Sequence, residues 1–146
     1  MKHFGKRFLS GLILMCMLSS LFCISAFAIQ DSSAYISHYA AAVNPRSGGR
    51  MLVTLDIASV GYMDEVGATE IHIYESTDDV EFTLIESYYV EDHPEFLTSG
   101  TLYYEDAVTF YGTPGHYYMA TILFYAGDET GGDTRIYDTY SVRCLR

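Results

Sequence analysis

Tryptophan is absent from this 146-residue chain, and lysine is absent beyond residue 6. Proline occurs only at Pro45, Pro94 and Pro114, and cysteine only at Cys16, Cys23 and Cys144. Each shortage excludes something. Without tryptophan there are no indole platforms of the kind on which carbohydrate-binding surfaces usually lean. Without lysine, and with every one of the 19 acidic residues lying after position 28, there is no basic footprint for nucleic-acid phosphates or anionic lipid heads. Two of the three cysteines fall inside an apolar N-terminal stretch. The remainder of the chain therefore keeps Cys144 alone, and an intrachain disulfide is excluded. That thiol is either free or available to bridge two chains, with the free thiol favoured. A catalytic nucleophile there is not expected, since only Arg143 and Arg146 lie close in sequence. Long helical periodicity is missing too. What is abundant is tyrosine, with 14 residues, all of them after position 28. Aromatic and β-branched residues on this scale argue against disorder despite the acidity.

The N-terminus reads as an export leader. Lys2, Lys6 and Arg7 give a positive start, Phe8 to Ile24 is apolar, and Ala26-Phe27-Ala28 is a small-x-small cleavage site. Cleavage after Ala28 is the expectation, with an uncleaved anchor as the alternative. Cys23 follows Phe22 rather than a small residue, so a lipid anchor is not expected. The expected product is secreted, extracellular and free of the membrane, with five arginines as its only fixed cations. Residues 29–49 read as an N-terminal segment and loop that join residues 50–146 in a single domain, long enough to bury a core unaided.

Short alternating runs broken by Gly, Pro and Asp predict an all-β fold, an antiparallel two-sheet sandwich of about seven strands. Met51, Val53, Leu55 and Ile57 alternate with more polar neighbours. So do Ile71 and Ile73 between Thr69 and Glu75, followed by turn chemistry at Ser76 to Asp79. Glu81 to Val90 predicts a strand with Phe82 and Leu84 inward, and Leu102 to Phe110 alternates through Tyr104, Asp106 and Val108. Tyr117 to Tyr125 is the clearest strand, and Arg135 to Arg143 closes the series. Ala34 to Val43 fits a strand or a short helix, with strand preferred. Asn44 to Gly49 and Glu91 to Gly100 read as loops.

The stretch Ile71-His72-Ile73-Tyr74-Glu75-Ser76-Thr77-Asp78-Asp79-Val80-Glu81-Phe82-Thr83-Leu84-Ile85 resembles a strand, turn and return strand of fibronectin type III and related immunoglobulin-like domains. Thr113-Pro114-Gly115-His116-Tyr117-Tyr118 is similar to that family's entry into its penultimate strand. The resemblance implies that Tyr118 pins the corner with its hydroxyl and that Ala120, Ile122 and Phe124 enter the core. It covers roughly residues 50 to 143 and departs from the family in lacking a core tryptophan. The chain as a whole also resembles small secreted proteins of Gram-positive bacteria. Such likeness implies a fold and an address, and no chemistry.

Chemical constellations are sparse. Asp128, Glu129 and Asp133 bracket a glycine pair, so three carboxylates could converge on calcium at a hairpin tip. A solvated acidic turn explains the same residues, and no cofactor is expected. The histidines do not fall at zinc-ligand spacing. No nucleophile elbow or phosphate-cradling loop occurs, so an enzyme is not expected. The expected function is a secreted, non-enzymatic interaction module whose partner is a protein or a glycan. Calcium or carbohydrate binding is the alternative, and a small acidic hydrolase or hydrolase inhibitor the alternative of another class. A monomer or weak homodimer is expected. Strand Tyr117 to Tyr125 is apolar on both faces, whereas a sandwich strand needs only one buried face. Its second face carries Tyr117, Met119, Leu123 and Tyr125, and the fibronectin-like order adds His72, Tyr74 and Tyr137. These residues are the expected binding site.

Overall fold

The computed structural model describes residues 33–146, and the expected leader and cleavage site lie outside them. Among the described residues there are nine strands: β1 (Ile36–Pro45), β2 (Arg50–Met63), β3 (Glu65–Ser76), β4 (Thr83–Tyr89), β5 (Leu97–Thr98), β6 (Thr101–Tyr111), β7 (Tyr117–Asp128), β8 (Gly131–Asp138) and β9 (Val142–Arg143). Seven are long and two are two-residue pieces, which accords with the all-β expectation. One sheet has the order β1-β2-β6. The other runs β4-β3-β7-β8, with β5 beside β3 and β9 beside β7. All pairings are antiparallel. Two antiparallel sheets divided in this way are compatible with an immunoglobulin-like or fibronectin type III-like sandwich.

Period-two alternation explains the core. Met51, Val53, Leu55 and Ile57 of β2 meet Ile71 and Ile73 of β3 and Tyr118, Ala120, Ile122 and Phe124 of β7, all buried. Tyr118 behaves as the resemblance implies. Its hydroxyl accepts the Thr113 N–H at 2.7 Å, and its ring lies so close to Gly112 that a Cβ there would sit 2.7 Å from it. Ala34 to Val43 resolves in favour of strand: β1 pairs with β2, and Tyr39 packs on Phe124 and Tyr137 across the sandwich.

Four readings need correction. Leu84 does not point inward; it is 50% exposed, and Phe82 is only half-buried. β4 is an edge strand, and a register shift between Ile73 and Tyr74 turns its side chains relative to the simple alternation. Glu91 to Gly100 is not wholly loop. A short 3-10 turn at Pro94–Phe96 buries Phe96 and leads into β5. Asn44 to Gly49 likewise continues β1 to Pro45 and then forms a 3-10 turn at Ser47–Gly49. The last predicted strand begins four residues earlier, at Gly131, and breaks after Asp138. There Thr139 is buried and replaces the ladder, its N–H bonding the Ala120 carbonyl and its hydroxyl accepting the Ala120 N–H, both at 2.9 Å. Cys144 is buried and free, with burial raising its pKa, so the thiol offers nothing at the surface to bridge a second chain.

Candidate functional site

Antiparallel register decides which side chains share the outer face of the larger sheet. Tyr74 lies opposite Met119 and Leu84, His72 opposite Thr121 and Ser87, and Glu70 opposite Leu123 and Tyr89. On β8 the partner of Leu123 is Ile136, and the partner of Tyr125 is Thr134. The expected residues His72, Tyr74, Tyr117, Met119, Leu123 and Tyr125 are thus brought to one face, each half-buried in the plane of the sheet. Tyr137 is not. It pairs with Ile122 and turns inward, edge-on to Tyr39 at 6.0 Å between ring centres. Parity is the reason: Ile136, one residue earlier, is the outward member of β8 and is 65% exposed. Leu84 and Tyr89 of β4 extend the same apolar surface. Among the described residues neither β1 nor the segment from Glu91 to Gly100 folds over it. Tyr39 packs on the inner side, and Phe96 packs against Tyr88, the inward partner of Ile71.

A hydrogen-bonded chain that sequence reasoning missed sits in the middle of this face. The His72 ring spans Ser87 Oγ, 2.9 Å from Nδ1, and Glu70 Oε2, 2.8 Å from Nε2. Glu and His two apart on a strand were visible in the sequence; Ser87 joins them only through register. Serine, histidine and carboxylate in series could suggest acyl transfer, which needs N–H donors aimed at an oxyanion. Here Ser87 stands on a sheet face, where backbone N–H groups point along the sheet plane. The chain therefore acts as a polar pin that fixes His72, with Tyr89 edge-on to its ring at 5.8 Å.

The acidic hairpin tip is organised differently from the calcium arrangement. The turn falls at Glu129-Thr130, between the paired Asp128 and Gly131. Asp128 Oδ1 accepts the Thr130 N–H at 2.8 Å and the Thr130 hydroxyl at 2.6 Å, and these bonds hold its pKa below the usual value. Asp133 pairs with Arg135 at 2.8 Å, and the Glu129 N–H reaches Asp64. Gly131 and Gly132 belong to β8, where the Tyr35 and Tyr125 side chains occupy the space a Cβ would need. The described residues contain no group of three or more His, Cys, Asp or Glu side chains placed to hold a metal ion. No helix among them is long and apolar enough to cross a membrane.

No protein-family model matches the chain, and no curated protein or solved structure is significantly similar to it.

One more polar cluster closes an end of the sandwich. Glu75 accepts the Tyr118 hydroxyl in a short hydrogen bond and lies 2.9 Å from His116 Nδ1. The Tyr118 bond is the main cause that lowers the Glu75 pKa; burial opposes it, and His116 adds to the lowering. A carboxyl whose folded pKa lies below its unfolded one stabilises the fold once the pH is above the unfolded value. That contribution is lost as pH falls from about 4.5, the ordinary glutamate value, through the depressed folded pKa. Glu75→Gln should therefore be less stable than the parent at neutral pH, with the gap closing as pH falls below that range. Urea melts of both proteins across the acid limb check this, and a pH-independent gap would remove the titration account.

Proposed function

We propose that this protein is an exported, non-enzymatic interaction module of the fibronectin type III-like kind, which engages a protein or glycan through the outer face of its larger sheet. One observation carries the reading. Tyr74, Leu84 and Met119 on one side and Leu123 and Ile136 on the other flank the polar row of Ser87, His72, Thr121 and Asp138, on a face that the described residues leave uncovered. Exposed apolar patches with polar rims mark interaction sites. Tyrosine gives such a face broad, rigid contact area at small entropic cost. Glu70 and Asp138 stand beside the apolar side chains, and a partner with basic groups at its margin complements them. Association then slows as salt rises.

The test places a photo-crosslinking side chain at Leu123 and, as control, at Thr54 on the outer face of the smaller sheet, in cells that make the protein. A single adduct formed at position 123 and not at 54 is expected. Once that adduct is identified, Leu123→Glu should weaken its binding by about tenfold or more, as removal of a central contact does. Equal labelling at both positions, or full affinity in Leu123→Glu, would exclude this face.

A further inference from the structure

Strand edges present unpaired N–H and C=O groups that invite another strand. Among the described residues the sandwich has four long edges: β1 and β6 on the smaller sheet, β4 and β8 on the larger. Three of them are blunted. The bond from the Arg46 N–H to the Arg50 carbonyl turns even-numbered residues of β1 toward β2. Pro45 therefore faces the edge, where it offers no donor, and the β1 register also slips between Ile36 and His38. On β6 the bond from the Gly112 N–H to the Gly49 carbonyl turns odd-numbered residues outward. There Thr101 Oγ1 accepts the Tyr103 N–H at 3.2 Å and donates to the Tyr103 carbonyl at 2.9 Å, and Asp106 Oδ1 accepts the Ala107 N–H at 2.7 Å. β4 is the shortest of the four and is broken by its bulge.

β8 carries none of these devices. It has no proline, and its register against β7 is unbroken from Asp138 to Gly131. The bond from the Thr139 N–H to the Ala120 carbonyl continues that register and turns odd-numbered residues toward β7. The backbone groups of Gly132, Thr134, Ile136 and Asp138 consequently face outward.

We infer that β8 is a dimerisation edge, on which a second copy of the chain pairs its own β8 antiparallel about a two-fold axis at Thr134. Charge selects both the occupant and the register. Asp133 and Arg135 of one copy pair with each other at 2.8 Å, and an axis at Thr134 sets the two pairs in alternating order, each Asp133 opposite the other copy's Arg135, with the strands overlapping from Gly131 to Tyr137. Axes at Asp133 or Arg135 would oppose like charges, and an axis at Ile136 shortens the overlap and forms no ion pair. In the selected register the exposed Ile136 stands opposite Gly132 of the other copy and packs on the Tyr125 ring that lies over that glycine. A two-fold interface must be self-complementary in this sense. The pairing joins two larger sheets into one and places their apolar faces side by side. The acidity of each copy opposes association at low ionic strength, so the state to measure is at about 0.15 M salt, where the screening length is about 8 Å.

Sedimentation velocity on the purified protein over a concentration series is expected to show a monomer–dimer equilibrium. Thr134→Pro removes only an edge-facing N–H, and it should weaken the dimer by tenfold or more while the far-ultraviolet spectrum stays that of the parent. Thr134→Cys tests the register independently. Opposed residues of a hydrogen-bonded pair stand about 5.5 Å apart at Cα, within the span of a disulfide. Mild oxidation should therefore link this variant into dimers, and the Thr109→Cys variant, on the β6 edge, should stay unlinked. A parent that sediments as a monomer at every concentration overturns the proposal. So does a dimer that survives in folded Thr134→Pro, or equal linking at positions 109 and 134. The outer-face reading fails or stands separately, because Leu123→Glu leaves the β8 edge and its dimer in place.

Discussion

Replacing Phe124 with alanine should cost about 3–5 kcal/mol, the usual range for deleting a buried phenylalanine side chain. Phe124 is 0% exposed at the middle of β7, opposite Ala68 of β3 and against the β1 residue Tyr39, whose ring centre lies 5.9 Å away. The cavity would open where the two sheets meet, and few neighbours can collapse into it. Tyr39 is held by Tyr137, and Ala68, the cross-strand partner of Phe124, is already the smallest chiral residue. Domains of this size are stable by about 5–15 kcal/mol, and no disulfide among the described residues limits the unfolded chain. The variant should lose most of its margin, with a melting temperature lower by at least about 12 °C at roughly 4 °C per kcal/mol. Thr121→Ala on the same strand is the control. It faces the other way and forfeits one exposed hydrogen bond to Asp138, so it should cost about 1 kcal/mol. Thermal and urea melts read both. Phe124→Ala melting within a few degrees of the parent would show that β7 does not present this face to the core.

The inward face of β7 was legible because its alternation runs through Tyr118, Ala120, Ile122 and Phe124 without a bulge on its own strand. The same held for β2. Legibility failed where register, rather than residue type, decides. Tyr137 and Ile136 are both apolar enough to lie on either face of β8, and only the pairing Ile122↔Tyr137 sends the tyrosine inward. Leu84 carries the pattern of a core residue but belongs to an edge strand with a bulge, so half of it meets solvent. The Ser87–His72–Glu70 chain needed the same information, since Ser87 lies on another strand from the other two. The acidic tip shows a third cause. Three carboxylates close in sequence were directed to different partners by a two-residue turn that alternation alone does not locate. One available signal went unread. A glycine inside a strand often marks a close backbone approach, and Gly67 is such a residue.

Gly67→Ala should accordingly be as damaging as a core deletion, although no side chain is lost. A compatible glycine-to-alanine change ordinarily stabilises by about 0.4–1 kcal/mol, through the unfolded chain. Here the sign reverses. A Cβ at Gly67 would stand 1.9 Å from the Phe96 carbonyl oxygen and 3.1 Å from Leu97 Cα, and the residue's φ is +156°. Ordinary contact begins near 3.4 Å, and the obstructing atoms are backbone, so no rotamer change relieves the overlap. The segment from Pro94 to Thr98 must lift off β3. That movement breaks the pairing of Gly67 with Leu97 and of Val66 with Thr98, strains the bond from the Tyr104 hydroxyl to the Glu95 carbonyl, and draws Phe96 from its place beside Tyr88 and His93. Exposing a buried phenylalanine forfeits about 1.5–3 kcal/mol, and the unfavourable φ adds of order 1–3 kcal/mol. The total is a loss of about 3 kcal/mol or more. Its location separates it from a general weakening. Amide hydrogen exchange should accelerate first at Phe96 and Gly100, whose N–H groups bond to His93 and Met63, while the β2 and β7 amides keep protection set by the lowered global stability. A Gly67→Ala protein as stable as the parent, or one with unchanged exchange at Phe96 and Gly100, would show that this segment does not rest on β3 in solution.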